Sequence, residues 1–234
     1  MIIRPIGQSG YVVKSGDCEI IIDPYLSDSV NRVAGRPRML PVPIEPESIH
    51  CAAVICTHDH LDHLDVDTVV RIDPCQHFIT TSEGKEKLHS LGRENVTVLR
   101  EGESIRLGAL EVTAVFADHT VEAIGVILRG EGRVLYFSGD TLYNERLFGI
   151  AKYTPDVTFI CINGRLGNMN AEQALVTAKK IGAPINVPTH YDMFASNSAD
   201  PHSFADNIDG GFIMEFDRKY ELSHGGDPLA LTVL

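Results

Sequence analysis

The chain has 234 residues, with 32 acidic residues against 20 lysines and arginines, a formal net charge of −12, 44% hydrophobic residues and 22% charged residues. This composition is typical of a globular protein, and the length suits a single domain with a large core, so we treat residues 1–234 as one domain. The acidic balance argues against nucleic-acid binding, which needs a basic surface. No apolar run approaches the roughly 18 residues that a membrane span requires.

The N-terminus, Met1 to Pro5, shows no signal-peptide pattern, so we expect a cytoplasmic protein with no membrane partner. The number of cysteines is odd and no CxxC pair occurs, which favours buried free thiols over disulfides. These thiols belong to Cys18, Cys51, Cys56, Cys75 and Cys161. A homo-oligomer is left open by the sequence.

The first elements are short apolar runs separated by glycine-containing turns, which is typical of antiparallel hairpins. The runs are Ile2–Ile6, Tyr11–Lys14 and Glu19–Ile22. Residues 27–48 contain four prolines together with Arg32, Arg36 and Arg38, and we expect a loop with little regular structure. Two interpretations stay open: a wall of a binding site with its arginines near an anionic group, or a solvated excursion.

The densest chemistry lies between Thr57 and His63, after the apolar run Ala52–Cys56, which we predict to be a buried strand. A helix is expected over Leu64–Ile72, so these side chains follow the C-terminal end of a strand, where α/β proteins place functional residues. In an extended chain, His58 and His60 point to the same side. Asp62 and His63 follow the turn and face a neighbouring point. Imidazole and carboxylate are the ligands that zinc-type cations prefer, although a polar loop rich in histidine is the simpler alternative.

The run from His58 to His63 resembles the H-x-H-x-D-H signature of the metallo-β-lactamase fold superfamily. The resemblance implies an α+β fold, a four-layer αβ/βα sandwich of two mixed β-sheets flanked by helices, with a two-metal hydrolytic site at one edge. It also implies three further ligands, a His, an Asp and a His, each following a strand. In this fold an aspartate placed like Asp23 orients the metal loop, although Asp-Pro is also a common strand-end turn.

The next predicted elements are a strand over His77–Thr81, a helix from an N-cap at Ser82 to about Leu91, and three more strands. Those strands are Val96–Leu99, Ser104–Leu107 and Leu110–Phe116. The last of them runs into Asp118 and His119. The resemblance implies that His119 completes a first metal set with His58 and His60. Asp118 is the competing ligand candidate and otherwise a possible outer partner.

Strands are predicted over Ala123–Leu128 and Arg133–Phe137, and the second leads into Ser138-Gly139-Asp140-Thr141. This tetrapeptide is similar to a superfamily element whose aspartate bridges the two metals. A carboxylate between two dications offsets their repulsion, so the role suits Asp140 physically. A plain Gly-Asp turn is the alternative.

The remaining elements alternate between helix and strand. We predict a helix over Asn144–Ile150, a strand over Val157–Ile162, a helix from the N-cap Asn170 through Ile181, and a strand over Pro184–Pro188. His190 follows that strand and, by the resemblance, completes a second metal set with Asp62 and His63. The loop 163–169 either holds an anion with Arg165 at the helix N-terminus or is an ordinary helix entry. Closing strands are expected over Phe212–Phe216, Tyr220–Leu222 and Leu229–Val233.

Within the superfamily, the C-terminal half is most similar to the L-ascorbate-6-phosphate lactonase-like branch. The similar residues are Ser138 to Thr141, Asn163 to Asn170, Pro188 to Phe194, Asn197, Asp200 and Pro201. This similarity implies two zinc or manganese ions, opening of a lactone in a small phosphorylated sugar acid, and substrate contacts from Arg165 and Tyr191.

A cation lowers the pKa of bound water to about 7, and the resulting hydroxide would attack while Asp62 orients it or carries its proton. Three alternatives remain open. A phosphodiesterase would use the same metals. A di-iron oxidoreductase of this fold usually has Glu in place of His60, which argues against it. A non-catalytic metal-binding member would have lost ligands.

Overall fold

The computed structural model describes all 234 residues and contains fourteen strands in two mixed sheets. The strands are β1 Ile2–Gly7, β2 Gly10–Ser15, β3 Cys18–Ile22, β4 Ala53–Ile55, β5 Phe78–Thr80, β6 Val96–Val98, β7 Ser104–Leu107, β8 Leu110–Phe116, β9 Ile124–Gly130, β10 Arg133–Phe137, β11 Val157–Cys161, β12 Ile185–Thr189, β13 Tyr220–Leu222 and β14 Leu231–Val233.

The first sheet has eight strands in the order β14-β13-β1-β2-β3-β4-β5-β6. Strands β14 to β3 pair in antiparallel fashion, as the short hairpin turns predict. From β3 to β6 the pairing is parallel, with Ile22 beside Ile55 and Ile55 beside Ile79. The C-terminal ends of β3, β4 and β5 therefore meet at one edge of the sheet.

The second sheet has six strands in the order β12-β11-β10-β9-β8-β7. Strands β10, β11 and β12 are parallel, whereas β7 to β10 are antiparallel. Because two antiparallel steps separate β8 from β10, β8 runs in the same direction as β10 and β12. These three strands consequently end at the same edge.

The two sheets face each other across the main hydrophobic core. Alternate residues of a strand point to opposite faces. Ile20 and Ile22 accordingly join Val112 and Leu128 in the core between the sheets, whereas Ile21 lies on the outer face of the first sheet. The same alternation in both sheets produces one inner core and two outer ones.

Helices cover the outer faces. They are α1 Ser29–Ala34, α2 Val66–Val69, α3 Ser82–Ser90, α4 Ala171–Ile181 and α5 His202–Ala205, with 3₁₀ helices at Pro46–Ser48 and Glu145–Tyr153. Leu88 of α3 packs on the first sheet, and Ala174 and Ala178 of α4 pack on the second. The predicted four-layer α+β sandwich is confirmed. No helix combines the length and apolar character that crossing a membrane requires.

The best sequence-based helix prediction was α4. Its N-cap is Asn170, whose side chain accepts from the Gln173 backbone N–H while the Gln173 side chain accepts from that of Asn170. Gly182 closes the helix with a left-handed φ of 77°. All five cysteines are free, as expected, but Cys75 is exposed and Cys51 is only partly buried.

Four local predictions were wrong in part. Residues 27–48 contain α1 and a 3₁₀ helix. The helix expected over Leu64–Ile72 is the single turn α2, which begins after its N-cap Asp65, whose side chain accepts from the Asp67 backbone N–H. Helix α3 has its N-cap at Thr81, one residue earlier than predicted, and this hydroxyl accepts from Gly84. Residues 212–216 form no strand, although Gly211 makes an isolated bridge to Asn186.

Candidate metal centre

All seven predicted ligand residues lie where strands end, at one edge of the sandwich. The loop 57–63 follows β4, and the other three side chains follow β8, β10 and β12, which end together. A backbone hydrogen bond of 3.0 Å from Ile124 to the Thr57 carbonyl links this loop of the first sheet to the second sheet. The seven residues are His58, His60, Asp62, His63, His119, Asp140 and His190.

The first set comprises His58, His60 and His119, whose ring nitrogens converge. The Nδ1 atom of His60 lies 3.1 Å from Nε2 of His58 and 3.1 Å from Nε2 of His119. Four ligands in a tetrahedral shell about zinc, with Zn–N near 2.0–2.1 Å, would stand about 3.3 Å apart. The observed separations therefore match the edges of a metal-ligand shell.

The second set comprises Asp62, His63 and His190. The Oδ2 atom of Asp62 lies 3.5 Å from Nε2 of His190 and 3.8 Å from Nε2 of His63. Both histidines are fully buried, whereas the Asp62 side chain is 18% exposed. The carboxylate thus forms part of the mouth of the site.

Asp140 connects the two sets. Its Oδ1 atom lies 3.2 Å from Nε2 of His63, and its Oδ2 atom lies 3.2 Å from Nε2 of His190 and 3.9 Å from Nε2 of His119. Gly139, with a φ of 57°, makes the sharp turn after β10, and a Cβ there would contact Thr57 at 3.1 Å. This turn directs the carboxylate between the two sets of histidines.

Outer hydrogen bonds fix the orientation of several rings. Nδ1 of His119 donates to the Gly167 carbonyl over 3.0 Å, and Nδ1 of His63 lies 2.8 Å from Oδ2 of Asp23. Nδ1 of His58 lies 3.1 Å from the Thr57 hydroxyl, which itself donates to Asp23. With Nδ1 engaged on the outside, the neutral rings present their Nε2 lone pairs to the interior, as cation ligands must.

The charges of the site are strongly coupled. Burial opposes protonation of His63 and His190, but the surrounding carboxylates, Asp140 foremost, outweigh it and raise the pKa of His63 well above its usual value and that of His190 to about 9. Burial likewise opposes ionisation of Asp62 and Asp140, yet the two histidines hold the pKa of each carboxyl well below its usual value.

These charges and atoms fit a cation. The Nε2 atom of His63 and the Oδ1 atom of Asp140 are buried without a hydrogen-bond partner, although they lie 3.2 Å apart. A divalent cation would satisfy such inward-facing atoms and displace their protons. The donor set of imidazole and carboxylate suits zinc or manganese.

Several residues near the centre adopt left-handed backbone conformations that non-glycine residues rarely adopt. They include Asp23, with φ of 45°, and His190, with φ of 65°. Such conformations persist only where surrounding contacts hold them, and they are concentrated at functional sites. The loop residues here are positioned by hydrogen bonds from neighbouring strands.

The other sequence-based candidates lie around the centre. Arg165 is exposed on the loop whose Gly167 carbonyl holds His119. Tyr191 is half-buried, directly after His190, and lines a cavity of about 330 Å³. The Asp118 carboxylate accepts a hydrogen bond from the Asn144 side chain over 2.9 Å, and its role as a possible outer partner stays a prediction.

The arginines of residues 27–48 are largely engaged by the protein itself. Arg32 pairs with Asp67 at 2.8 Å. Arg38 donates to backbone carbonyls within its own segment, including those of Ser27 and Leu40 at 2.9 and 2.7 Å. Leu40 of this segment packs against Met193 and Phe194, which follow His190 in the chain.

Sequence reasoning missed Gln8, whose side-chain amide lies 2.6 Å from Oδ2 of Asp62 and 3.1 Å from Nε2 of His190. It sits in the turn between β1 and β2, where a polar residue between glycines indicates only a turn. His190 lies 182 positions away in the chain, so no local sequence pattern predicts this contact.

Comparisons with known proteins agree with this architecture. A family model described as the β-lactamase superfamily domain matches residues 19–191. A protein of Oenococcus oeni named UPF0173 metal-dependent hydrolase is 28% identical over 240 residues, covering 94% of this chain and all of the relative.

Two solved structures share the fold. Igni18, described as a metallo hydrolase of Ignicoccus hospitalis, has a TM-score of 0.77 at 23% identity, covering 95% of this chain and 99% of that one. An isothiocyanate hydrolase from Delia radicum gut bacteria has a TM-score of 0.80 at 18% identity, covering 96% and 100%. The family match spans most of the chain and includes all seven predicted ligand residues: the chain belongs to the metallo-β-lactamase fold superfamily.

Proposed function

We propose that the protein is a metal-dependent hydrolase that opens the lactone of a small phosphorylated sugar acid, with two zinc or manganese ions at the centre. His58, His60 and His119 would hold one ion, and Asp62, His63 and His190 the other, with Asp140 between them. The observation that supports this most directly is the position of Asp140, whose two oxygens lie within 3.2–3.9 Å of histidines from both sets.

Bound divalent cations supply a nucleophile at neutral pH, by lowering the pKa of water to about 7, and polarise the carbonyl that is attacked. Asp62 is the catalytic carboxylate of the proposal. Its side chain is 18% exposed at the mouth of the site, and its low pKa keeps the carboxyl ionised. An ionised carboxylate accepts a hydrogen bond from the attacking water and orients it toward the substrate.

The proposed substrate contacts are Arg165 and Tyr191. Arg165 is exposed two residues from Gly167, so its guanidinium is available for bidentate binding of a phosphate. Tyr191 follows His190 and its ring borders the neighbouring cavity. A compact anionic substrate is compatible with the net charge of −12, because the cations supply local positive charge.

The test combines cation content with a substrate panel. Untagged protein is assayed with a phosphorylated sugar lactone, a bis-aryl phosphodiester and an isothiocyanate, with zinc or manganese supplied. We expect about two equivalents of cation and cation-dependent turnover of the lactone. Turnover of the phosphodiester alone would replace the proposal with the phosphodiesterase alternative, and protein that binds no transition metal would refute both.

Ligand variants complete the test. We expect His119→Ala and His190→Ala each to lose about one equivalent of cation and at least about 100-fold in kcat/KM, because each removes a proposed ligand from a different set. The half-buried His77, which contacts Thr97 instead, provides the control variant His77→Ala. Full cation content and activity in either ligand variant would refute that ligand assignment.

A further inference from the structure

Gln8 reaches the second metal set from the turn between β1 and β2, which lies at the same edge of the first sheet as the ends of β3 and β4. The side chain is 5% exposed, and its terminal amide lies 2.6 Å from Oδ2 of Asp62 and 3.1 Å from Nε2 of His190. Members of the set are separated from one another by similar distances, such as the 3.5 Å between these same two atoms. The amide therefore occupies a position in the same shell.

The backbone holds Gln8 there against its intrinsic preference. Its φ of 54° is left-handed, a conformation that costs free energy for a residue other than glycine. The Gln8 carbonyl accepts from the His190 backbone N–H over 3.0 Å and from the Thr189 hydroxyl over 3.1 Å. These bonds join Gln8 directly to the turn that carries His190, so the two side chains are positioned together.

The amide has one unsatisfied atom. Nε2 of Gln8 faces Asp62 and His190, while Oε1 is buried without a hydrogen-bond partner. Rotation of the amide by half a turn exchanges the two atoms. It gives up the contacts of Nε2 with Asp62 and His190, but it breaks no hydrogen bond of Oε1, which makes none. The nitrogen and oxygen are distinguished only by their surroundings.

The favoured orientation of the Gln8 amide depends on whether a cation is bound. Nε2 of a neutral His190 has a single lone pair, and a bound cation takes it, so Gln8 can no longer donate a hydrogen bond there. An amide oxygen turned toward the same point would be able to bind the cation instead, and carbonyl oxygens are good ligands for manganese in particular.

We propose that Gln8 is a further protein ligand of the second cation, through Oε1, beside Asp62, His63 and His190. This inference rests on the proposed function, because it requires a cation at that set. It adds an oxygen from the β1–β2 turn to a shell otherwise supplied by residues that follow β4, β10 and β12.

The test is a Co²⁺ titration of the chelator-stripped full-length chain, followed by absorption spectroscopy, with Mn²⁺ affinity from competition with a chelating indicator. Gln8→Asn is the main variant, since asparagine tolerates left-handed φ but is one methylene shorter. We expect at least about tenfold weaker binding of the second cation and a changed Co²⁺ spectrum, with the first site intact. Gln76→Ala is the control, because Gln76 is also buried but bonds to the Cys51 backbone away from the centre.

Gln8→Glu separates a ligand from a hydrogen-bond donor. A carboxylate keeps an oxygen ligand, so the second site should bind Mn²⁺ at least as tightly as in the wild type and retain its Co²⁺ spectrum. If Gln8 only donates a hydrogen bond to Asp62, Gln8→Glu places a second carboxylate against that of Asp62, and binding of the second cation weakens. Weaker binding in Gln8→Glu, or unchanged binding and spectrum in Gln8→Asn, overturns the inference while wild-type binding of two cations leaves the proposed function standing. Wild-type protein that binds no cobalt overturns both.

Discussion

The histidines of the centre depend on a carboxylate that is not itself in either metal set. Asp23 is fully buried, and its two oxygens accept from the Thr57 backbone N–H at 2.7 Å, the Thr57 hydroxyl at 2.8 Å and Nδ1 of His63 at 2.8 Å. It therefore fixes both the start of the histidine loop and the orientation of one ring. The outer role that the resemblance implies for Asp23 is consistent with these contacts.

We expect Asp23→Asn to weaken cation binding by about 10–100-fold, because the neutral amide is a poorer acceptor for the His63 ring and no longer selects its orientation. The affinity of the purified variant for Zn²⁺, from competition with a chelating indicator, measures this effect.

Asp65→Asn is the matched control. Asp65 is also a buried carboxylate that accepts from backbone and hydroxyl groups, those of Leu26, Ser27 and Thr68 among them, but it belongs to the cap of α2. This variant should lose stability and keep its cation affinity. Equal losses of cation affinity in both variants would show that the loss of either buried carboxylate disturbs the centre, whether or not that carboxylate contacts a histidine.

Two exposed residues of the loop 163–169 allow a test of the substrate class. Arg165 and Leu166 are adjacent and both exposed, Leu166 to 57%, on the loop that holds His119. If the substrate carries a phosphate, Arg165→Ala should raise KM for the phosphorylated lactone by about tenfold or more, since charged hydrogen bonds contribute about 1.5–3 kcal/mol.

Leu166→Ala should leave that KM nearly unchanged, and steady-state kinetics of the two variants measure the difference. An increase in KM for Leu166→Ala but not for Arg165→Ala would instead indicate a substrate held by apolar contact.

The residue scale also shows where sequence reasoning succeeds and where it stops. His58 to His63 could be identified because closely spaced ligand types carry a local signal. His119, Asp140 and His190 could be identified because the resemblance implies a His, an Asp and a His that each follow a strand. Gln8 could not be identified from the sequence, because its contact with His190 depends on a left-handed turn that lies against the end of β12.

Among the loops, residues 163–169 have a direct mechanical link to the first metal set. Gly167 has a φ of 96°, and a Cβ at this position would lie 2.9 Å from Cε1 and Nδ1 of His119. Glycine is therefore required both for the backbone conformation and for the close approach of the ring.

We expect Gly167→Ala to displace His119, weakening the first cation site by about tenfold or more, because an added methyl group at this distance forces the ring to move. Co²⁺ titration and absorption spectroscopy report the loss at that site.

Gly182→Ala provides the control for backbone strain. Gly182 also has a positive φ, 77°, at the C-terminus of α4, but a Cβ there meets nothing within 4 Å. This variant should lose about 1 kcal/mol of stability and bind cations normally. Normal cation binding in Gly167→Ala as well would show that His119 tolerates the methyl group.

At the level of elements, the strands were predictable because their apolar residues alternate or form short buried runs. The failures have physical causes. Residues 212–216 are mostly apolar, which favoured a strand, but the pairing with β12 does not extend beyond the single bridge between Gly211 and Asn186. The helix α1 was missed because the prolines of this segment, which favour irregular structure, all follow residues 29–34.

Across the whole molecule, the centre joins two sheets that otherwise meet through apolar packing. Ile3, Ile20 and Ile55 of the first sheet pack in one core with residues of the second. Each metal set draws side chains from both: the loop after β4 belongs to the first sheet, whereas His119 and His190 follow strands of the second. With the proposed ligands in both halves, a bound cation would cross-link the two sheets.

Cation binding should therefore stabilise the entire fold. A ligand that binds only the folded state stabilises it by about 2.7 kcal/mol when its concentration is 100 times Kd. For a chain of this size each kcal/mol shifts Tm by about 2–4 °C, so we expect Zn²⁺ or Mn²⁺ to raise Tm of chelator-treated protein by about 5–10 °C per occupied site. Scanning calorimetry or thermal-shift measurement over a series of cation concentrations tests this.

The ligand variants separate the contributions of the two metal sets to the cation-dependent rise in Tm. His119→Ala and His190→Ala should each retain only part of the cation-dependent rise in Tm, because each variant keeps one intact set spanning both sheets. His77→Ala should retain all of it, since that ring contacts Thr97 at 2.8 Å, away from the centre. A Tm that does not respond to cations in the wild type would contradict the cross-link. A full response in both ligand variants would show that other residues bind the cations.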